Sequence, residues 1–127
     1  MKLLDTNIFL EILLEQEKAQ AAVEYITSQD LGTLFLSNYS LDSIGLKLFW
    51  SNKLSELAQF GQDLNRAGIR ILALMPEDFG ALTHNIFRWG LDFDDAYQYT
   101  LAKKHGLELV SFDADFDRTD LKRIEPQ

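Results

Sequence analysis

A chain of 127 residues, 46% of them hydrophobic and including nine Phe, four Tyr and two Trp, has the size of one domain and the means to bury its own core. The absence of cysteine excludes a disulfide scaffold, a Cys-ligated metal site and a thiol nucleophile, and agrees with a reducing cytoplasm. A formal net charge of −8 has the wrong sign for nucleic-acid binding through bulk charge. The acids Asp5, Glu11 and Glu15 speak against a signal peptide, and no apolar run reaches the length of a membrane span.

In chain order, Lys2-Leu3-Leu4 reads as a short strand that ends on Asp5, and Asp5-Thr6-Asn7 offers N-cap residues to a helix through Ile8, Ile12 and Leu14. Ala19, Ala22, Val23 and Ile26 carry the spacing of a second helix, and Asp30-Leu31-Gly32 breaks it. Thr33 to Ser37 reads as a buried strand. Ser40 is placed to cap a helix through Ile44, Leu48 and Trp50. The next helix runs through Leu54, Leu57, Phe60 and Leu64 and stops at Gly68. Ile69 to Leu74 reads as a strand, with Pro76 in the first turn of the helix after it. Gly90 breaks that helix, Asp92 to Asp95 open another, and Gly106 closes it. Leu107 to Ser111 is a strand, and Leu121 to Glu125 suits a short edge strand. Apolar strands alternating with helices predict an α/β fold: a three-layer α/β/α sandwich around a central parallel sheet of four to five strands, in one domain over 1–127.

The acids are unevenly placed. Asp92, Asp94, Asp95, Glu108, Asp113, Asp115, Asp117 and Asp120 crowd one segment, against Lys103, Lys104 and Arg118. Crowded carboxylates raise one another's pKa unless a cation lies among them. Asp5 closes the first strand, Asp95 begins the helix before the fourth, and Asp113 and Asp115 follow that strand. If strands one and four are neighbours, these acids converge where parallel sheets bind ligands, beyond the strand ends. Hard oxygen donors in that number suit Mg²⁺ or Mn²⁺ and support phosphodiester hydrolysis without a side-chain nucleophile. For Asp94, Asp117 and Asp120 a helix-dipole or solvated role is the simpler reading.

The stretch Leu3-Leu4-Asp5-Thr6-Asn7-Ile8-Phe9 resembles the opening signature of PIN-domain nucleases. Asp95-Ala96, a helix, then Leu107 to Val110, Ser111-Phe112-Asp113-Ala114-Asp115-Phe116 is similar to that family's closing half. The two motifs and the order of elements between them span nearly the whole chain. The closest likeness among small members is to VapC-like toxin ribonucleases of toxin–antitoxin pairs. The resemblance implies a Mg²⁺- or Mn²⁺-dependent endoribonuclease that leaves a 5′-phosphate and a 3′-hydroxyl. It also implies a cytoplasmic homodimer and an antitoxin partner filling the acidic cleft. By the same resemblance Asp5, Asp95 and Asp113 are catalytic and metal-binding, Asp115 is a fourth, variable ligand, Asn7 and Ser111 are supporting polar residues, and Phe116 is a packing position.

One position departs from the family pattern. The Glu that usually follows a strand-ending Ser falls here on Ser43, with Asp42 beside it. Adjacent helical residues differ by about 100° of rotation, so Asp42 replaces that Glu only if the helix is turned; otherwise the site lacks one ligand. A degenerate PIN domain that binds RNA or protein without cutting is therefore the alternative. A receiver-like or phosphatase domain fits less well, because Asn7 stands where a phosphatase would carry a second Asp. His84 and His105 lie near no acid motif. Lys47, Lys53, Arg88 and Arg118 are candidates for phosphate contact that nothing in the sequence distinguishes. The helical spacing of Trp50, Phe60, Phe87 and Trp89 assigns them to the core or to a dimer interface, ahead of base stacking.

Overall fold

Apolar side chains at successive strand positions, with no polar face to leave in water, demand cover on both sides, and the sheet receives it. The computed structural model describes residues 1–127. Strands β1 (Lys2–Leu4), β2 (Leu34–Ser37), β3 (Arg70–Leu72), β4 (Glu108–Val110) and β5 (Arg123–Ile124) form one sheet in the order β3-β2-β1-β4-β5. Every neighbouring pair is parallel. Six helices supply the cover: α1 (Thr6–Leu13), α2 (Ala19–Ser28), α3 (Asn38–Trp50), α4 (Leu54–Arg66), α5 (Phe79–Trp89) and α6 (Phe93–His105). None is long and apolar enough to cross a membrane.

Register and pleat together divide the core. Leu3 pairs with Phe35 on one side and Leu109 on the other, and all three point into the layer holding Leu82, Ala96, Leu101 and Phe116. The next residues along, Leu4, Leu36 and Val110, point the opposite way, toward Ile8, Ile44, Leu48, Phe60 and Leu64. Successive strand residues face opposite sides, so three short strands seed two cores. Each fully buried aliphatic side chain contributes about 1.5–3 kcal/mol. The same register, carried one residue further, sets Asp5 beside Ser37 and Ser111 at the carboxyl edge, where Asp5 N–H still donates to the Val110 carbonyl at 2.9 Å.

Two local readings need correction. Ser40 does not cap α3: Ser37 does, its hydroxyl accepting from the Ser40 N–H at 2.9 Å, which leaves Ser40 buried in the first turn. The strand expected over Ile69 to Leu74 pairs only over Arg70–Leu72, because beyond Leu72 the backbone turns to α6 and Leu74 N–H donates to the Tyr97 hydroxyl at 2.9 Å. Of the aromatics assigned to the core or a dimer interface, Phe60 is buried and Trp89 half-buried, whereas Trp50, 71% exposed, and Phe87, 82% exposed, lie outside this chain's core. Pro76 opens a 3-10 turn (Pro76–Asp78) that runs into α5, and a second such turn, Ala114–Arg118, follows β4. Gly106 ends α6 at φ +65°, a left-handed conformation open to glycine at little cost, and so returns the chain to β4.

Candidate active site

The strand order turns at β1. The chain builds outward through β2 and β3, then returns to add β4 and β5 on the other flank, so β1 and β4 are paired neighbours. At such a switch point the loops leave the sheet in opposite directions and open a crevice at its carboxyl edge. A recess of about 340 Å³ lies there, lined by Asp5, Thr6, Asn7, Leu10, Ser43, Leu46, Lys47, Trp50, Asp94, Asp95 and Asp113.

Asp5 is 6% exposed and caps α1, one oxygen accepting from the Thr6 N–H at 2.8 Å and from the Gln98 amide at 3.3 Å. Its other oxygen accepts from the Ser111 hydroxyl at 2.6 Å. Burial pushes its pKa up to about 6; the Ser111, Thr6 and Gln98 hydrogen bonds pull the other way, and the Asp113 charge adds to the rise. Asp95 is 7% exposed, held by the Asp92 cap, whose carboxylate accepts from the Asp95 N–H at 3.0 Å. Its pKa also rises, first through burial and then through the carboxylates of Asp113, Asp92 and Asp5. Two buried acids are thus raised together with no basic partner on either. Carboxylates crowded in this way ionise readily when a cation lies among them.

Ser111 is the hub. Fully buried, its hydroxyl donates to Asp5 and accepts from the Asp113 N–H at 2.9 Å and from the Asn7 amide at 3.3 Å. The Asn7 carbonyl oxygen in turn accepts from the Phe112 N–H at 3.3 Å, which ties the loop after β4 to α1. Ser111→Ala removes the hydroxyl and strands its partners, which costs about 1–3 kcal/mol. In a chain of this size that lowers Tm by roughly 4–10 °C, measurable by thermal melting; an unchanged Tm would mean water restores the lost bonds.

One oxygen each from Asp95, Asp113 and Asp115 can be chosen so that all lie within 4.8 Å of one another, which meets the spacing of a carboxylate cation site. Asp5 lines the recess with Asp95 and Asp113 but stands outside that tight trio, whereas Asp115 belongs to the trio without lining the recess. Asp115 is exposed and pairs with Arg118 at 3.0 Å, so a cation drawing on Asp115 competes with that guanidinium. Asp94 also borders the recess, in the first turn of α6, and accepts a short hydrogen bond from the Tyr39 hydroxyl. The donor set, hard carboxylate oxygens with room beside them, fits Mg²⁺ or Mn²⁺.

The family's Glu position has a definite answer in the geometry. Ser43 lines the recess; Asp42 is exposed and lines not the recess but an adjoining surface hollow with Asn38 and Tyr39, which shares Ser43 and Leu46 with it. The helix is not turned to bring Asp42 inward, and the recess has a hydroxymethyl group where a carboxylate would sit. Gln98 was not singled out from the sequence. It lies three residues after Asp95 on the same face of α6, in a run buried from Asp95 to Ala102, and its amide donates to both Asp5 and Ser40. An amide one helical turn beyond Asp95, and so on the same face as that acid, was the available signal. The Ser40 hydroxyl also shares a hydrogen bond of 2.7 Å with Thr6. His84 and His105 are exposed and border neither hollow.

The fold and the recess define an α/β protein whose site is built of carboxylates at a parallel-sheet switch point. The family model of the PIN domain matches residues 2–122, and the chain belongs to the PIN-domain family. Among solved structures it is similar to VapC20 of Mycobacterium tuberculosis, described as a sarcin–ricin-loop-cleaving toxin, with a TM-score of 0.81 at 14% identity over 96% of this chain and 97% of that one. It is likewise similar to FitAcB from Neisseria gonorrhoeae, at TM-score 0.76 and 21% identity over 98% and 96% of the two chains. VapBC2 from Rickettsia felis, solved with a promoter DNA fragment, gives TM-score 0.72 and 17% identity over 99% and 98%. These likenesses speak to the fold. No curated protein sequence shows a significant match.

Proposed function

We propose that residues 1–127 act as a single PIN-like unit, a Mg²⁺- or Mn²⁺-dependent endoribonuclease and the toxin of a toxin–antitoxin pair. The observation that carries this reading is the convergence of Asp5, Asp95 and Asp113 on one recess between β1 and β4, two of them buried without a basic partner. In the proposal these three are the catalytic acids and hold the ion, with Asp115 assisting. A bound ion of this kind lowers the pKa of water and offsets charge developing on phosphate. The chain's own part is positional. Ser111 and Gln98 hold Asp5, Asp92 fixes the start of α6 under Asp95, and Asn7 anchors the loop that carries Asp113. Because the net charge is −8, RNA approaches this recess only once a cation has offset the acids. The toxin–antitoxin assemblies among the similar structures support an antitoxin partner for this chain as well. A homodimer and a cytoplasmic setting belong to the same proposal.

Ser43 favours a second reading, a PIN domain that binds but does not cut. One experiment separates the two. Purified protein with mixed tRNA and ribosomal RNA in Mn²⁺ is expected to give discrete fragments, and EDTA to suppress them. Well-folded protein that yields no fragments, while Ser43→Glu gains cleavage, would instead establish an intact scaffold that lacks one ligand.

A further inference from the structure

At 3.6 residues per turn, positions 43, 46, 47 and 50 fall in one stripe along α3. That stripe is the wall of the acid recess: Ser43, Leu46, Lys47 and Trp50 all line it. Lys47 is the single base among the lining residues, and it forms no ion pair, although Asp5, Asp94, Asp95 and Asp113 border the same hollow. Trp50 leaves most of its indole in water beside that base. An aromatic plane that large, exposed on the rim of a charged recess, makes no contribution to the core on which the fold depends. From Ser43 to Trp50 the helix rises about 10 Å, so the indole stands clear of the acids while sharing their recess.

We propose that Lys47 and Trp50 hold the substrate strand, Lys47 on a phosphate next to the acid site and Trp50 stacked on an unpaired base beyond it. The ligand class is therefore single-stranded RNA, because a paired base offers no free face to an indole. Ser43 lines the same recess without adding charge, where a Glu would add negative charge against the phosphate. This inference rests on the ribonuclease reading for its substrate, but its binding test does not depend on cleavage.

The test uses full-length protein carrying Trp89→Phe, which leaves Trp50 as the only tryptophan. It is titrated with a short mixed-sequence single-stranded oligoribonucleotide in Ca²⁺, with cleavage followed separately in Mn²⁺. RNA is expected to quench Trp50 fluorescence. Measured by anisotropy of labelled RNA, Trp50→Ala is expected to weaken binding about tenfold and Trp50→Phe to restore most of it. Lys47→Gln is expected to lower the slope of log affinity against log salt by about 0.7, the share of one single-strand phosphate. Binding unchanged in Trp50→Ala overturns the proposal, as does equal binding of duplex RNA or an indole that RNA does not quench. A Trp50→Ala chain that turns from dimer to monomer in sedimentation, with RNA affinity kept, would assign the indole to a second copy and also overturn it. RNA held and Trp50 quenched without any cleavage in Mn²⁺ supports the strand-holding wall and removes the nuclease reading. Cleavage that survives with Kd unmoved in Trp50→Ala does the reverse.

Discussion

Asp95→Asn is expected to lower the rate of RNA cleavage in Mn²⁺ more than about a hundredfold while raising the thermal stability of the metal-free protein. The two effects have one cause. Asp95 is buried with Asp113, Asp92 and Asp5 as its charged neighbours, and both burial and those charges oppose its ionisation. An amide of the same shape carries no charge to bury and keeps the backbone hydrogen bond to the Asp92 cap. The fold therefore gains what the cation site loses. A Lewis-acid ion supplies several kcal/mol of transition-state stabilisation, and about 1.4 kcal/mol is tenfold in rate, so losing one of its central ligands exceeds a factor of a hundred. Rates from gel assays and melting curves on the same preparation decide the matter. A variant that melts well below the parent would make Asp95 a structural residue, and a variant that cleaves normally would remove it from the site.

Stability of the metal-free protein is expected to fall as pH rises from about 5 to about 7, and Mn²⁺ to reverse the fall. Asp5 titrates near 3.8 in an unfolded chain and near about 6 in the folded one. A raised carboxyl pKa means that the folded state prefers the proton, so this contribution is complete below about pH 4 and is lost as pH climbs through 6. Between about pH 5 and about pH 7 Asp5 alone accounts for about 1.4 kcal/mol, and Asp95, shifted in the same direction, adds to it. The half-buried Asp78 and the exposed Asp117 and Asp120 are shifted downward by hydrogen bonds to Lys104, Arg123 and Tyr99, and they have the opposite sign. Their contribution appears on raising the pH through the ordinary carboxylate range and is complete by about pH 5, which leaves the upper window to the buried pair.

The expected fall is roughly 5–10 °C in Tm. Mn²⁺ at about a hundred times its Kd restores about 2.7 kcal/mol, and its effect is larger at pH 7 than at pH 5 because the ligands must first lose their protons. A Tm that is flat across this window and indifferent to Mn²⁺ would show that the acids neither titrate there nor bind the ion.

Much of this protein follows from near neighbours along the chain. The apolar runs at Leu3-Leu4, Leu34 to Leu36 and Leu109-Val110, the helical spacing between them, the caps at Asp5 and Asp92 and the stops at Gly90 and Gly106 are all local features, and local features form with little help from the rest of the fold. The placing of Asp5, Asp95 and Asp113 at strand ends and at a helix start is of the same kind. Their meeting is not local. It depends on β4 pairing with β1 after more than a hundred residues of intervening chain, and strand order is settled by which helices cover which face of the sheet.

The rotation of α3 is decided in the same way. Ile44 and Leu48 must enter the core, and once they do, Ser43, Lys47 and Trp50 turn to the recess and Asp42 turns to water. Sequence spacing ranks the residues around a helix but does not say which neighbours claim each side. For that reason Gln98, reaching Asp5 from the buried face of α6, and Trp50, open to water on the wall of the site, were decided by tertiary packing alone.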